Sequence, residues 1–174
     1  MRFRVKPGMN EKSARNDEKK EGTKMKKLKI YLDNCCFNRP YDDQTQLRIM
    51  LETEAKLYIQ EEIRKGNIDF VWSYVLFLEN SRNFSKTKIM SILDFSKYAN
   101  ETILENNDIL KEMDIIRQSG IKDMDALHIA CSIYAKCDYF VTTDDRVLRY
   151  KSKKIKIVTP IEFIKVLEEV ENDK

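Results

Sequence analysis

The sequence lacks the long apolar segments that direct a protein into or across a membrane. No apolar run approaches the roughly 20 residues that a membrane-spanning helix needs. The basic N-terminus has neither the apolar core nor the small-residue cleavage site of a secretory signal. Glycine and proline are also scarce, with 4 and 3 residues, which is not the composition of a disordered chain. We therefore expect a cytoplasmic, helix-rich globular protein with no membrane partner.

Cysteine and histidine are too few and too scattered for a disulfide framework or for a zinc site built from two CxxC pairs. Of the 4 cysteines, Cys35 and Cys36 are adjacent, whereas Cys131 and Cys137 stand apart. A zinc site that combines Cys131 and Cys137 with His128, the one histidine of the chain, is conceivable. Small buried thiols are the favoured interpretation, because a free cysteine behaves as a compact apolar residue.

The chain has no strong overall charge that would identify its partner. Its 174 residues, 42% hydrophobic and 35% charged, have the size and composition of one globular domain. Residues 1–27 carry 10 Lys and Arg against 4 Asp and Glu, so the remainder has a net charge of −3 although the whole chain has +3. This balance argues neither for nor against a nucleic-acid substrate. The function has to be inferred from a site.

The N-terminal segment differs in composition from the rest. Residues 1–24 are rich in Lys, Glu, Asn and Ser and have almost no apolar content, so they are predicted to be a flexible basic extension. Met25 is a natural start for a single domain that spans residues 25–174. An extension without function is the favoured interpretation, and a basic binding arm is the alternative.

Short apolar runs alternate with segments of helical periodicity, which predicts an α/β fold in three layers. Strands separated by helices form a parallel sheet through right-handed crossovers, and both faces are covered. The helix over 43–65 has its apolar residues broadly on one face, at Leu47, Met50, Leu51, Leu57 and Ile63, and Gly66 is expected to end it. Thr159 with Glu162 forms a capping box for the last helix, with Pro160 at its first position. The predicted strands are 28–33, 68–72, 102–104, 138–143 and 154–158. The predicted helices are 43–65, 73–83, 85–98, 107–118, 124–136, 145–150 and the C-terminal segment.

Acidic residues follow two of these strands and lie within two of the helices. Asp33 ends the first strand, and Asp144 with Asp145 follows the strand over 138–143. The carboxyl ends of parallel strands meet at one edge of a sheet, where ligands gather. Asp125 lies in the first turn of a helix, and its side chain is expected to point toward the same edge because the predicted core face of that helix is Leu127, Ala130, Cys131 and Tyr134. Glu79 sits among apolar residues, where a carboxylate is costly unless it is compensated.

A group of acids in one place predicts a divalent cation. Each acid alone is explained as a helix cap, a turn residue or an exposed side chain. Together they would repel one another and raise each other's pKa unless a cation lies between them. Oxygen ligands select hard ions, so Mg²⁺ or Mn²⁺ is expected rather than zinc or copper. Such sites carry out phosphoryl chemistry, with one or two metals.

Several segments resemble the PIN-domain nucleases, in particular bacterial toxins of the VapC type. The resemblance runs from about Lys27 to the C-terminal helix and is carried by YLDNCCFNRP, DMDALHIACS, FVTTDDRVL and an isolated glutamate in a helix. It implies a central parallel sheet of about five strands and divalent-metal-dependent cleavage of single-stranded RNA. It also implies an antitoxin partner and dimerisation in toxin members. The residues that match the acidic catalytic and metal-binding quartet are Asp33, Glu79, Asp125 and Asp144.

Further residues near these segments are candidates for supporting roles. Asp145 and Asn34 are accessory candidates, and Asn34 stands where many relatives have Thr or Ser. Basic residues near the acids are predicted to contact RNA phosphates, although exposed surface charge explains each of them equally well. These residues are Arg39, Arg82, Lys86, Arg146 and Arg149. His128 is interpreted as packed or exposed rather than catalytic, with a supporting role left open by its spacing from Asp125.

Two other functions fit part of the pattern. An aspartate-nucleophile phosphatase also begins with an Asp after an apolar strand, but it needs a second Asp two residues on, where this chain has Cys35. A catalytically inactive or partner-controlled module that binds RNA or protein is the non-enzymatic alternative. The presence of all four acids argues against that alternative.

Overall fold

A computed structural model describes residues 27–172. The proposed extension over residues 1–24 lies outside the described residues, so the domain boundary at residue 25 stays a prediction. No helix within 27–172 has both the length and the apolar content to span a bilayer.

A five-stranded parallel sheet forms the centre of the molecule, which confirms the predicted α/β fold class. Its order is β3-β2-β1-β4-β5, so β1 lies in the middle. All four neighbouring pairs are parallel. The strands are β1 (Lys29–Leu32), β2 (Asp69–Ser73), β3 (Glu101–Ile103), β4 (Tyr139–Val141) and β5 (Lys156–Val158).

Eight α-helices flank the sheet, and each predicted helix is present in the described part of the chain. They are α1 (Asn34–Asn38), α2 (Leu47–Arg64), α3 (Tyr74–Ser81), α4 (Lys86–Phe95), α5 (Asn107–Arg117), α6 (Asp123–Tyr134), α7 (Asp145–Leu148) and α8 (Pro160–Asn172). The short helix α1 and the 3₁₀ turns at Arg39–Tyr41 and Ser96–Tyr98 were not predicted.

The strand order determines where a ligand crevice can form. The chain moves outward in one direction from β1 to β3, then crosses to β4 on the other side of β1 and continues to β5. Right-handed crossovers therefore place the helices of the two halves on opposite faces. The carboxyl ends of β1 and β4 lie side by side, and the loops that follow these two strands diverge there. This position, where the strand order reverses, is the switch point of the sheet.

The central strand is buried on both faces, as expected for a parallel strand covered by helices. Ile30, Tyr31 and Leu32 are fully buried. The Tyr31 ring stacks on Phe140 of β4, with centroids 5.5 Å apart. Asp33 follows this buried strand directly, so its backbone position is fixed by the packing of β1.

Both predicted helix caps are confirmed. Gly66 has φ of 75°, and its N–H donates to Ile63 O at 2.9 Å, which closes the end of α2. At the start of α8, Thr159 N donates to Glu162 Oε2 at 2.8 Å, and Glu162 N donates to Thr159 Oγ1 at 3.1 Å. Pro160 is the first residue of α8, as predicted.

The predicted faces of two helices need correction. The apolar residues assigned to one face of α2 are mostly exposed, and only Ile63 of that set is buried. The inner face is instead partly polar and contains Glu52, Lys56 and Gln60. On α6, Tyr134 was predicted in the core and is exposed, whereas His128 is buried. Buried Glu52 pairs with Arg39 from the turn before α2 and with Arg48 one turn earlier in α2, and the periodicity of apolar residues does not reveal such pairs. The exposed apolar residues of α2 are Leu47, Met50, Leu51 and Leu57.

The buried lysine of α2 generates a stability prediction. Lys56 is 5% exposed, and its ammonium lies 5.6 Å from the ring centroid of Phe37. Burial lowers the pKa of Lys56 from 10.5 to about 8. Because the folded-state pKa is the lower one, the charged lysine disfavours folding below pH 8, and this penalty disappears as the pH rises toward 10.5.

We expect Lys56→Met to raise the free energy of unfolding at pH 7 by roughly 2–3 kcal/mol, measured by urea denaturation. The difference between variant and wild type should narrow as the pH rises from 8 toward 10.5. Lys111→Met, at a side chain 76% exposed, is the matched control and should change stability little. A difference for Lys56→Met that does not vary with pH would contradict burial of a charge as its cause.

Candidate active site

Asp33 lies at the carboxyl end of β1 with its carboxylate held from the neighbouring strand. Its backbone N–H donates to Val141 O at 2.9 Å, which continues the pairing of β1 with β4. Its Oδ2 accepts hydrogen bonds from Thr142 Oγ1 at 2.7 Å and from Cys35 Sγ at 3.2 Å. Thr142 Oγ1 also accepts from Asp144 N at 3.1 Å. One hydroxyl therefore connects the backbone of Asp144 to the carboxylate of Asp33.

Glu79 projects from α3 and contacts the one histidine. Its Oε2 lies 2.7 Å from His128 Nε2. Burial raises the pKa of Glu79, but the hydrogen bond with His128, the charge of Arg82 and a hydrogen bond from Asn34 outweigh burial and lower the pKa overall. Glu79 is therefore a carboxylate at neutral pH, and it can accept hydrogen bonds or bind a cation.

Asp125 lies in the first turn of α6, where the charges of other acids affect its pKa. Burial raises the pKa of Asp125, and the charges of Asp33 and Asp144 raise it further. The charge of Arg146 acts in the opposite direction. Asp33 and Asp144 therefore lie close enough to Asp125 for their charges to act on it.

Asp144 caps α7 and is paired with an arginine. Its Oδ1 accepts from Arg146 N at 2.8 Å, and its Oδ2 lies 2.6 Å from Arg146 Nη2. The hydrogen bonds from Arg146 lower the pKa of Asp144. This pairing keeps Asp144 charged while Arg146 remains half-exposed beside it.

The donor set fits a hard divalent cation. Within residues 27–172, one group of acidic, histidine or cysteine side chains has ligand atoms that all lie within 4.8 Å of one another. It comprises Asp33, Glu79 and His128. Asp125 and Asp144 are not in this compact group, although Asp125 is coupled to Asp33 by charge. Asn34 Oδ1 is buried next to the site without a hydrogen-bond partner, so an acceptor oxygen remains available there.

The structure does not bring His128 together with Cys131 and Cys137, as a zinc site formed by these three residues would require. His128 lies beside Asp33 and Glu79, whereas Cys131 and Cys137 are buried free thiols. The interpretation of these two cysteines as small buried thiols is therefore confirmed. Cys35 differs, since it is partly exposed and touches Asp33.

Asp145, the accessory candidate, is turned toward α2. Arg48 Nη1 and Nη2 donate to its two oxygens at 2.9 and 2.7 Å. Arg48 also donates from Nε to Glu52 Oε1 at 2.8 Å. Asp145 thus connects α7 to α2, and its carboxylate is already satisfied. Its accessory role stays a prediction.

The predicted RNA-binding arginines fall into two environments. Arg39 is engaged within the protein, because its Nε lies 2.8 Å from Glu52 Oε2 and its Nη1 donates to Asp42 at 3.0 Å. Arg82 is exposed, and its charge acts on Glu79. Their contact with RNA stays a prediction.

Arg146 and Arg149 line a cavity of about 530 Å³ that also includes Asp125. Two more cations line it, Lys122 and Lys151, neither of which was singled out from the sequence. An acid that faces the other carboxylates thus shares its cavity with four positive side chains.

Comparison with known proteins adds evidence on the fold. No protein-family model matches the chain, and no curated protein sequence matches it. The chain is similar to the solved structure of VapBC2 from Rickettsia felis bound to a DNA fragment from their promoter, with a TM-score of 0.53 and 16% identity. The match covers 76% of this chain and 98% of that chain.

A DNA-bound VapBC structure from Salmonella typhimurium matches with a TM-score of 0.47 and 14% identity, again over 76% of this chain and 98% of that one. The Rickettsia felis match agrees with the five-stranded parallel sheet described above. This chain has a VapC-like PIN fold.

Proposed function

We propose that the chain is a divalent-metal-dependent endoribonuclease that hydrolyses phosphodiester bonds of single-stranded RNA. The observation that carries this proposal is the convergence of acids at the switch point of the sheet. Asp33 and Glu79 have oxygens within a group no wider than 4.8 Å, and Asp33 and Asp144 both raise the pKa of Asp125. The PIN fold and the motif resemblance support the same chemistry.

Asp33, Glu79, Asp125 and Asp144 are the residues that would hold the ion. Their donors are all oxygen, which suits Mg²⁺ or Mn²⁺. When bound, the ion would activate water and offset the charge that develops on the scissile phosphate. Thr142 and Cys35 orient Asp33 through their hydrogen bonds, and Arg146 keeps Asp144 ionised.

The cavity cations are proposed to bind the RNA backbone. Arg149 and Lys151 are suited to this because they line the cavity beside Asp125. Phosphate contacts would supply the affinity that the mildly acidic body of the protein lacks. The phosphatase alternative is disfavoured, because the thiol of Cys35 stands at the position of its second carboxylate.

A role as the toxin of a toxin–antitoxin pair is part of the proposal. It is supported by the resemblance to VapC toxins and by the similarity to a VapBC structure. A cognate antitoxin and a homodimer are the partners that follow from this role.

The first test removes one acid. Purified protein should cleave single-stranded RNA with Mg²⁺ or Mn²⁺ and stop with EDTA. Asp33→Asn should lower kcat by more than about 100-fold, since one missing charge loses several kcal/mol of stabilisation. Asp138→Asn is the matched control, because Asp138 accepts from Lys29 N at 2.8 Å at the opposite end of the same strands. Undiminished cleavage by Asp33→Asn would discard the site and reveal a contaminating ribonuclease.

The second test measures repulsion among the acids. In EDTA, Asp125→Asn should raise the melting temperature, because burial and two neighbouring carboxylates disfavour the charge of Asp125. With saturating Mg²⁺, wild type should gain more thermal stability than the variant, because the variant has lost a ligand. Thermal denaturation under both conditions measures the two effects. Equal gains with Mg²⁺ would argue against Asp125 as a ligand.

The third test concerns the cavity cations. The double variant Arg149→Ala with Lys151→Ala should weaken RNA binding, measured by fluorescence anisotropy in EDTA. The slope of log K against log salt should fall by about 1.4, at about 0.7 for each lost phosphate contact with a single strand. Lys97→Ala, at the far edge of the sheet beside β3, is the control and should leave the slope unchanged. An unchanged slope in the double variant would rule out this cavity as the RNA path.

A further inference from the structure

A chain of hydrogen bonds extends from Glu79 into the core. His128 Nε2 lies 2.7 Å from Glu79 Oε2, and His128 Nδ1 lies 2.7 Å from the Tyr31 hydroxyl. That hydroxyl lies 2.5 Å from Ser73 Oγ, which accepts from Leu76 N at 3.2 Å. The three inner side chains are at most 1% exposed, so water does not compete for these bonds.

The hydrogens available on each group determine which atom donates and which accepts along this chain of hydrogen bonds. The oxygens of the Glu79 carboxylate accept hydrogen bonds, so His128 Nε2 donates to Oε2. In a neutral imidazole Nδ1 then accepts, and the Tyr31 O–H donates to it. Ser73 must in turn donate to the Tyr31 oxygen, while its own oxygen accepts from Leu76 N. With these directions, every hydrogen bond from Leu76 N to Glu79 has one donor and one acceptor.

The chain of hydrogen bonds links the strands and helices that carry Asp33, Glu79 and Asp125. Tyr31 belongs to β1 and lies two residues before Asp33. Ser73 ends β2 and caps α3, which bears Glu79. His128 lies on α6, one turn after Asp125. A shift of any one of these elements would break a buried hydrogen bond, so the chain fixes their relative positions.

We propose that His128 is a positioning residue that holds Glu79 for cation binding, and that Tyr31 and Ser73 fix the imidazole for this task. This inference rests on the proposed metal site. It assigns cation binding to Asp33 and Glu79 but not to His128, although the three side chains form one group of potential ligands. Ligation through Nε2 would require His128 to give up Glu79, and Nδ1 is already paired with Tyr31. The cation is then left with oxygen donors alone.

The single histidine makes a direct test possible. A long-range ¹⁵N–¹H correlation spectrum of untagged protein at neutral pH contains one imidazole. We expect a proton on Nε2 and none on Nδ1, both without metal and with saturating Mg²⁺. A proton on Nδ1, or loss of the Nε2 proton when Mg²⁺ binds, would overturn the inference. This readout requires no RNA cleavage, so it stands even if the ribonuclease proposal fails.

Variants separate positioning from packing. Tyr31→Phe should weaken Mn²⁺ binding, measured by calorimetry, and lower kcat by about tenfold with KM for RNA unchanged. Tyr139→Phe removes a hydroxyl from the neighbouring strand β4 and should change neither quantity. His128→Gln retains an N–H donor and His128→Leu does not, so Gln should restore part of the Mn²⁺ affinity that Leu loses. Equal affinity of the two His128 variants would overturn the positioning role.

Discussion

Carboxylates of like charge lie close together at one edge of the sheet, and the contacts around them limit their repulsion. Asp33 and Asp144 follow neighbouring parallel strands, so the fold brings their charges together. The protein offsets the repulsion locally: Thr142 donates to Asp33, and Arg146 pairs with Asp144. For Asp125 the compensation is incomplete, because burial and its neighbours still raise its pKa. The proposed cation would offset this remaining imbalance.

The surrounding contacts can be understood from this repulsion. Acids that repel one another separate unless their backbones are rigid, and the fully buried strand β1 supplies that rigidity for Asp33. Around the rim, Arg48 connects Asp145 of α7 to Glu52 of α2. These ion pairs hold the elements that follow the switch point at a fixed distance from one another.

Much of the fold follows from the sequence, because its signals are local. The strands are short apolar runs, and the caps at Gly66 and at Thr159 with Glu162 depend on residues within one turn. The site was predicted through a topological rule: acids that follow parallel strands converge. That rule requires only the order of the elements, and it located Asp33 and Asp144 at one edge.

What the sequence did not reveal depends on distant partners. His128 was interpreted as packed or exposed, since nothing nearby in the sequence indicates that Tyr31 and Glu79 flank its two nitrogens. The inner face of α2 was misassigned because the periodicity of apolar residues does not show that buried Glu52 pairs with Arg39 from the preceding turn and with Arg48 one helical turn earlier. Long-range polar pairs leave no periodic pattern in a sequence.

The hydrogen bond from Thr142 to Asp33 has a consequence for synthesis on the ribosome. It joins residues 109 positions apart, and β4, which pairs directly with β1, is made after β2 and β3. A nascent chain that ends before Thr142 has the first acid but lacks Asp144 and the hydroxyl that orients Asp33. The acidic cluster is therefore completed only after β4 has been synthesised, and translation products that stop earlier do not contain it.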